Sequence, residues 1–164
     1  MRTEFGVART SCSCKTCVAN CRTMPGCLVP ADLDRMIPAG ADPFKWAETN
    51  LLASPGALVW SHEVGEFRIP TLVPAKKADG SCIHLNGKRC DIHSIAPFGC
   101  AFFSCGPEPP GLAKKGMMAV YDAFRKPGPS LYRNLWAHLA YAGLVQDAPE
   151  VLRERMLREK MRTL

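Results

Sequence analysis

Eight cysteines fall into two sets whose residue types and spacing suit thiolate coordination of a metal. Cys12, Cys14, Cys17 and Cys21 follow C-x-C-x2-C-x3-C, and Cys82, Cys90, Cys100 and Cys105 stand in CIHLNGKRCDIHSIAPFGCAFFSC. Deprotonated thiols are the preferred ligands of zinc and of iron–sulfur clusters, and imidazole can replace one of them, which adds His84 and His93 to the candidates. The first set sits among Ser, Lys, Thr, Asn and Arg, where four cysteines cannot all be small core residues. Cys27 precedes the apolar Leu28-Val29 and reads instead as a buried thiol packed under the helix that follows.

Spacing bears on which metal. A structural zinc site draws its thiolates from close pairs, and Cys14-x2-Cys17 makes one such knuckle. The set from Cys82 to Cys105 contains none, whereas iron–sulfur clusters accept looser spacing with one ligand far away. The choice is near even, with a slight lean to an iron–sulfur cluster over Zn2+. Neither set suffices alone, so the fold is expected to bring the two together.

Composition narrows the setting. Nine cysteines is an odd number, which a disulfide framework would leave with one thiol over. The first residues, MRTEFGVARTSC, lack the apolar stretch of a secretory signal, and no run of about 18 apolar residues could cross a membrane. A cytoplasmic location is expected, where thiols stay reduced and metal ligation accounts for them better than disulfides. The net charge of +6 is uneven: residues 1–110 carry 11 Lys and Arg against 10 Asp and Glu, and residues 111–164 carry 10 against 5. Alternating Arg and Glu in LRERMLREKMR is the pattern of a solvated helix face, and no aromatic interleaving supports nucleic acid. A protein partner for the basic helices is the alternative.

The elements that must position these residues read as follows. Residues 1–27, closed by Pro25-Gly26, suggest a loop wrapped round a centre. A short helix over residues 28–37 has Pro near its start and acids in its first turn, and DPFKWAETNLL predicts another over 42–52. Strands are expected at 57–60 and 66–69, the second extended past Pro70 by Thr71-Leu72-Val73. His62-Glu63 lacks the second histidine of a zinc-protease helix and reads as a polar link between strands. Asn86-Gly87 marks a hairpin. A three-residue loop through Lys88 is the preferred register, because it sets His84 opposite Cys90 with Cys82 on the same face. Pro97 and Gly99 then turn Cys100 towards the site. Beyond the linker at 108–111 come three helices, at 112–124, 131–142 with Ser130 as cap and Gly143 as stop, and 151–162. The last carries an apolar stripe of Leu152, Met156 or Leu157, Met161 and Leu164, and His138 reads as a hydrogen-bonded core histidine.

The fold class expected is therefore α+β: a small, irregular, metal-stabilised domain with short β-hairpins over 1–110, and a helical extension over 111–164 packed on it. Cys14-x2-Cys17-x3-Cys21, Asp32-Leu33-Asp34-Arg35-Met36, Cys82-Ile83-His84-Leu85, Gly87 to Cys90, Asp91-Ile92-His93, Ala96-Pro97 and Cys100 together resemble the YkgJ-type cysteine-cluster family of zinc- or iron-chelating domains. The likeness spans about residues 10–106. His93 stands where the family has Tyr and Ala96 where it has Arg, while Cys12 and Cys27 are additions. The resemblance implies metal binding, and some relatives are similar to flagellin-lysine methylases that carry an iron–sulfur cluster. Three functions fit: a metal-binding protein whose centre builds the fold, a metal-dependent enzyme or electron carrier drawing on Asp91, His84 and His93, and an interaction module using the basic helices.

Overall fold

The computed structural model describes residues 5–8, 14–102 and 108–162. Cys12, Cys105 and Leu164 lie outside them. The chain is α+β, with helices α1 (Lys15–Thr23), α2 (Pro30–Met36) and α3 (Pro43–Asn50) leading into strands β1 (Leu51–Ser54), β2 (Leu58–Ser61), β3 (Gly65–Arg68) and β4 (Thr71–Pro74). The small hairpin β5 (Leu85–Asn86) and β6 (Arg89–Cys90), a 3-10 turn at His93–Ile95 and helix α4 (Phe98–Ala101) follow. Helices α5 (Leu112–Arg125), α6 (Leu131–Tyr141) and α7 (Pro149–Arg162) complete it. No described helix is long and apolar enough to cross a membrane.

Local chemistry sets the helix starts. Asp42 Oδ1 accepts from the Phe44 and Lys45 amides at 2.9 and 3.2 Å, ahead of Pro43. Ser130 Oγ accepts from Arg133 N–H at 3.2 Å, and Gly143 at φ 74 stops α6 in the left-handed conformation that glycine adopts without strain. α3 ends two residues earlier than expected, because Leu51 and Leu52 are taken into β1. That strand pairs antiparallel with β4 from Leu51↔Pro74 to Ser54↔Thr71, so Thr71-Leu72-Val73 forms its own pairing rather than prolonging β3. β2 and β3 make a separate hairpin with His62 and Glu63 in its turn.

β4 is buried along its length. Leu72 pairs with Ala53 of β1, and its own amide and carbonyl are bonded elsewhere: the carbonyl accepts from Leu28 N–H at 2.8 Å and the amide donates to Tyr132 Oη at 2.8 Å. The Tyr132 hydroxyl in turn donates to Leu28 O at 2.8 Å, so one phenol joins α6, β4 and the start of α2. The other side is closed by the segment after α6: Ala53 N–H donates to Leu144 O, and Gln146 N–H to Ala53 O. One apolar cluster, including Leu28, Leu33, Leu51, Leu72, Leu135 and Leu139, runs through both halves of the chain. α7 departs from expectation, since only Leu152 among its described residues is buried and Met156, Leu157 and Met161 are exposed. His138 is half-buried on α6, bonded through Nε2 to Glu48 Oε1 at 2.7 Å with Phe44 edge-on to its ring.

Candidate metal centre

α1 is the first surprise of the site. The stretch expected to be a loop is a helix with Cys14 at its N-cap, and Cys14, Cys17 and Cys21 are therefore spaced i, i+3, i+7. Residues so spaced share one helix face, and the sulfurs of Cys14 and Cys17 stand 3.8 Å apart. The spacing itself carried the signal, but no apolar stripe accompanied it. The helix is held in place by its neighbours: Lys76 Nζ donates to Thr23 O at 2.9 Å at its C-terminus, and Arg22 reaches Gly87 O at 3.4 Å.

Two backbone contacts carry the second cysteine set to this helix. Cys82 N–H donates to Cys21 O at 2.7 Å, which seats Cys82 beside the last turn of α1. Gly26 and Gly99 lie backbone against backbone, with Gly99 N–H donating to Cys27 O at 2.8 Å. A Cβ on Gly26 would fall 2.1 Å from the Gly99 carbonyl carbon, and one on Gly99 would fall 2.4 Å from Cys27 N, so only glycine fits at either position. Across this joint Gly26 N–H donates to Cys100 Sγ at 3.3 Å. The paired Gly26-Cys27 and Gly99-Cys100 dipeptides are visible in the sequence, but nothing in one dipeptide points to the other.

Asp32 fixes the approach of α4. It is fully buried, and its Oδ2 accepts from Val29 N–H and Phe98 N–H, both at 2.8 Å, while Oδ1 meets Arg35 at 2.8 Å. One carboxylate thus serves the first turns of α2 and α4, with negative charge at two helix N-termini. The sequence showed only its place in α2. Phe98 sits in the core against Gly116 of α5, where a methyl would meet its ring at 2.3 Å. Phe5 lies edge-on to the same ring at 4.7 Å.

The hairpin register differs from the one expected, a three-residue loop with His84 opposite Cys90. Asn86 pairs with Arg89 and Leu85 with Cys90, so the turn is Gly87-Lys88, with Gly87 at φ 59. Asn86 is spent on the ladder instead of the turn. Leu85, and not His84, faces Cys90, while Cys82 lies outside the hairpin and bridges to Lys76. His84 backs onto Asp91, whose amide donates to His84 O at 2.9 Å.

The thiols nevertheless feel one another. Burial pushes the Cys82 thiol up to about 11, with the neighbouring Cys21 and Cys90 adding to the rise against hydrogen bonds from the His84 and Leu85 backbone. Burial also raises Cys100 far above the usual thiol range; the Gly26 amide opposes this, and Cys21, Cys82 and Cys90 reinforce it. Cys21 is raised by burial alone. Cys21, Cys82, Cys90 and Cys100 thus form one electrostatic neighbourhood drawn from four segments.

Burial and the Asp32 carboxylate push the Cys27 thiol up to about 12, and Cys27 lines the same cavity as Cys17, Cys21 and Cys100. Cys14 is exposed. His84 is half-buried, burial lowers its pKa against the pull of Asp91, and its Nε2 is enclosed without a hydrogen-bond partner. His93 is exposed in the 3-10 turn. Among the described residues no three Cys, His, Asp or Glu side chains stand in a closed set that could hold a metal ion. Cys21, Cys27, Cys82 and Cys100 are free thiols. Beside them a cavity of about 490 Å3 runs from Cys17, Cys21 and Cys100 to Gln146 and Arg153. No protein family, curated protein or solved structure matches the chain.

Proposed function

We propose that this protein binds a metal between α1 and the segment from Cys82 to Cys100, as an iron–sulfur cluster or a zinc ion. Cys21, Cys82, Cys90 and Cys100 are the principal ligands, with Cys14 and Cys17 next along the same helix face. Cys12, Cys105, His84 and His93 complete the donor set read from the sequence. The observation that carries the reading is that contacts between distant segments bring both cysteine sets to the end of α1: Cys82 N–H donates to Cys21 O, and Gly26 N–H donates to Cys100 Sγ across the glycine–glycine contact. The donor chemistry fits, because thiolate is the common ligand of both metals and the enclosed Nε2 of His84 lacks a partner.

A bound cation displaces the thiol protons and draws the thiolates together. Such a centre needs reduced cysteines, which places the protein in the cytoplasm in this reading. Iron–sulfur is favoured over zinc. None of the four principal ligands comes from a close pair, and the amide of Gly26 donates to the Cys100 sulfur, the kind of bond that tunes a cluster. The likeness to the YkgJ-type family agrees with this reading.

Purification without oxygen, followed by iron, sulfide and zinc analysis, tests it. Near-stoichiometric metal is expected, with absorbance towards the blue if the centre is an iron–sulfur cluster. Cys82→Ala and Cys100→Ala should lose the metal and Cys27→Ala should keep it. A metal-free wild-type protein under these conditions refutes the proposal.

A further inference from the structure

Two sulfurs in the chain stand close enough to react with each other. They belong to Cys14 and Cys17 in Cys14-Lys15-Thr16-Cys17, and they lie 3.8 Å apart. Cys14 is exposed at the N-cap of α1, and Cys17 is half-buried in its first turn. Residues three apart in a helix have Cα atoms about 5 Å apart, inside the range of about 4.4–6.8 Å that a disulfide accepts. Lys15 is exposed between the two, and the first turn of α1 holds no acidic residue, so this helix end is electropositive. Four thiolates complete a single zinc or iron–sulfur centre, and Cys21, Cys82, Cys90 and Cys100 already supply four. On that reading Cys14 and Cys17 are left for other chemistry.

We infer that Cys14 and Cys17 form a dithiol–disulfide exchange site whose substrate is a disulfide. Cys14 is the thiol an incoming disulfide can reach, and Cys17 is held behind it to finish the reaction. The thiolate of Cys14 attacks one substrate sulfur, the substrate S–S bond breaks, and half the substrate leaves as a thiolate that takes up a proton. Cys17 then gives up its proton and attacks the Cys14 sulfur of the mixed disulfide, which releases the other half as a second thiol. Two electrons and two protons pass to the substrate, and Cys14 and Cys17 are left joined by an S–S bond. The electropositive helix end draws an anionic disulfide such as glutathione disulfide. None of the four principal metal ligands takes part, so exchange does not depend on the metal.

The test equilibrates full-length protein, purified without oxygen, in mixtures of glutathione and glutathione disulfide, then quenches it with acid, alkylates it and digests it with trypsin. Cleavage after Lys15 parts residues 10–15 from residues 16–22, so a bond from Cys14 to Cys17 leaves these two peptides joined. The joined peptide should form in wild type and in Cys12→Ser, and should be absent from Cys14→Ser and Cys17→Ser. Cys17→Ser should instead accumulate glutathione on Cys14, the mixed disulfide with no second thiol to resolve it. The equilibrium constant for the bond should be at least about tenfold larger in the native protein than in urea, because the folded helix raises the effective concentration of one thiol at the other. Offering insulin as oxidant distinguishes the substrate's source: reduction of its disulfides extends the site to proteins, and reaction with glutathione disulfide alone confines it to small molecules. No joined peptide at any glutathione ratio, joining that survives in Cys14→Ser or Cys17→Ser, or a constant no larger than in urea overturns the inference. So does a bond that forms only after chelation, which would make the pair metal ligands. Metal analysis of the same samples keeps the two readings apart: exchange without metal supports the dithiol alone, and metal without exchange leaves only the metal reading.

Discussion

The half of the molecule built on β1, β4 and α6 and the half built on α1 and the Cys82–Cys100 segment are held by different physics. In the first, Leu51, Leu72, Leu135 and Leu139 are fully buried, and Tyr132 and Trp136 bond backbone groups from within the apolar mass. In the second, Phe98 reaches the shared core, but the joint itself is backbone against backbone at Gly26–Gly99 and Cys21–Cys82, with charge concentrated on Asp32 and thiols alongside. Apolar burial is non-directional and tolerates small shifts, whereas a hydrogen bond or a glycine contact fails over a few tenths of an ångström. The thiol half should therefore be sensitive to single atoms and to metal, and the sheet half to volume.

The sharpest break in that comparison is expected at Asp32, which joins the halves. Asp32→Ala strips the Val29 and Phe98 amides and Arg35 of their partner at once, and should cost about 4 kcal/mol. Both the urea midpoint and the bound metal should fall. Next comes Gly26→Ala, whose methyl would lie 2.1 Å from Gly99 backbone. Overpacking of this kind costs about 3 kcal/mol, and since both sides are backbone the joint must open, so metal should be lost even where the sheet still melts cooperatively.

Tyr132→Phe tests the opposite half. It leaves Leu72 N–H and Leu28 C=O without the hydroxyl they share and should cost about 2 kcal/mol, while metal per folded molecule stays at the wild-type value. Metal loss in this variant would erase the distinction drawn between the two halves.

The smallest effect is one of pH. In the unfolded chain a thiol ionises near 9, but folded Cys82 keeps its proton to about 11 and Cys27 to about 12. The unfolded state therefore releases protons first as pH rises. Below 9 these thiols leave stability unchanged; between 9 and about 11 the metal-free protein should lose stability progressively. Urea melts of chelated protein at pH 7, 8, 9 and 10.5 would follow this, and Cys27→Ala should flatten the decline.

The helices at 112–125, 131–141 and 149–162 were legible because their signals are local: an apolar repeat at helical spacing, Ser130 before a start, Gly143 after an end. α1 was missed although its cysteines recur at helical spacing, because a thiol counts as ligand or core and the remaining residues are polar. The hairpin was legible as a hairpin but not in register. Asn86-Gly87 suits a turn, yet side-chain alternation alone cannot choose between neighbouring alignments, and the chain placed the turn one residue later. The two sets of cysteines were apparent from composition; which thiols would stand near one another was not.

Residue order determined where helices begin and end, that thiols abound, and that Gly, Pro and Asp punctuate the segments between them, because each depends on a few neighbours along the chain. Tertiary structure alone decided that Gly26 meets Gly99, that Asp32 holds the Phe98 amide, that Cys27 and Cys100 line one cavity, and that the side-chain oxygen of Gln146 is enclosed without a partner. Those are relations between residues far apart in sequence, set by which surfaces the collapsing chain must bury together, and no local pattern encodes them.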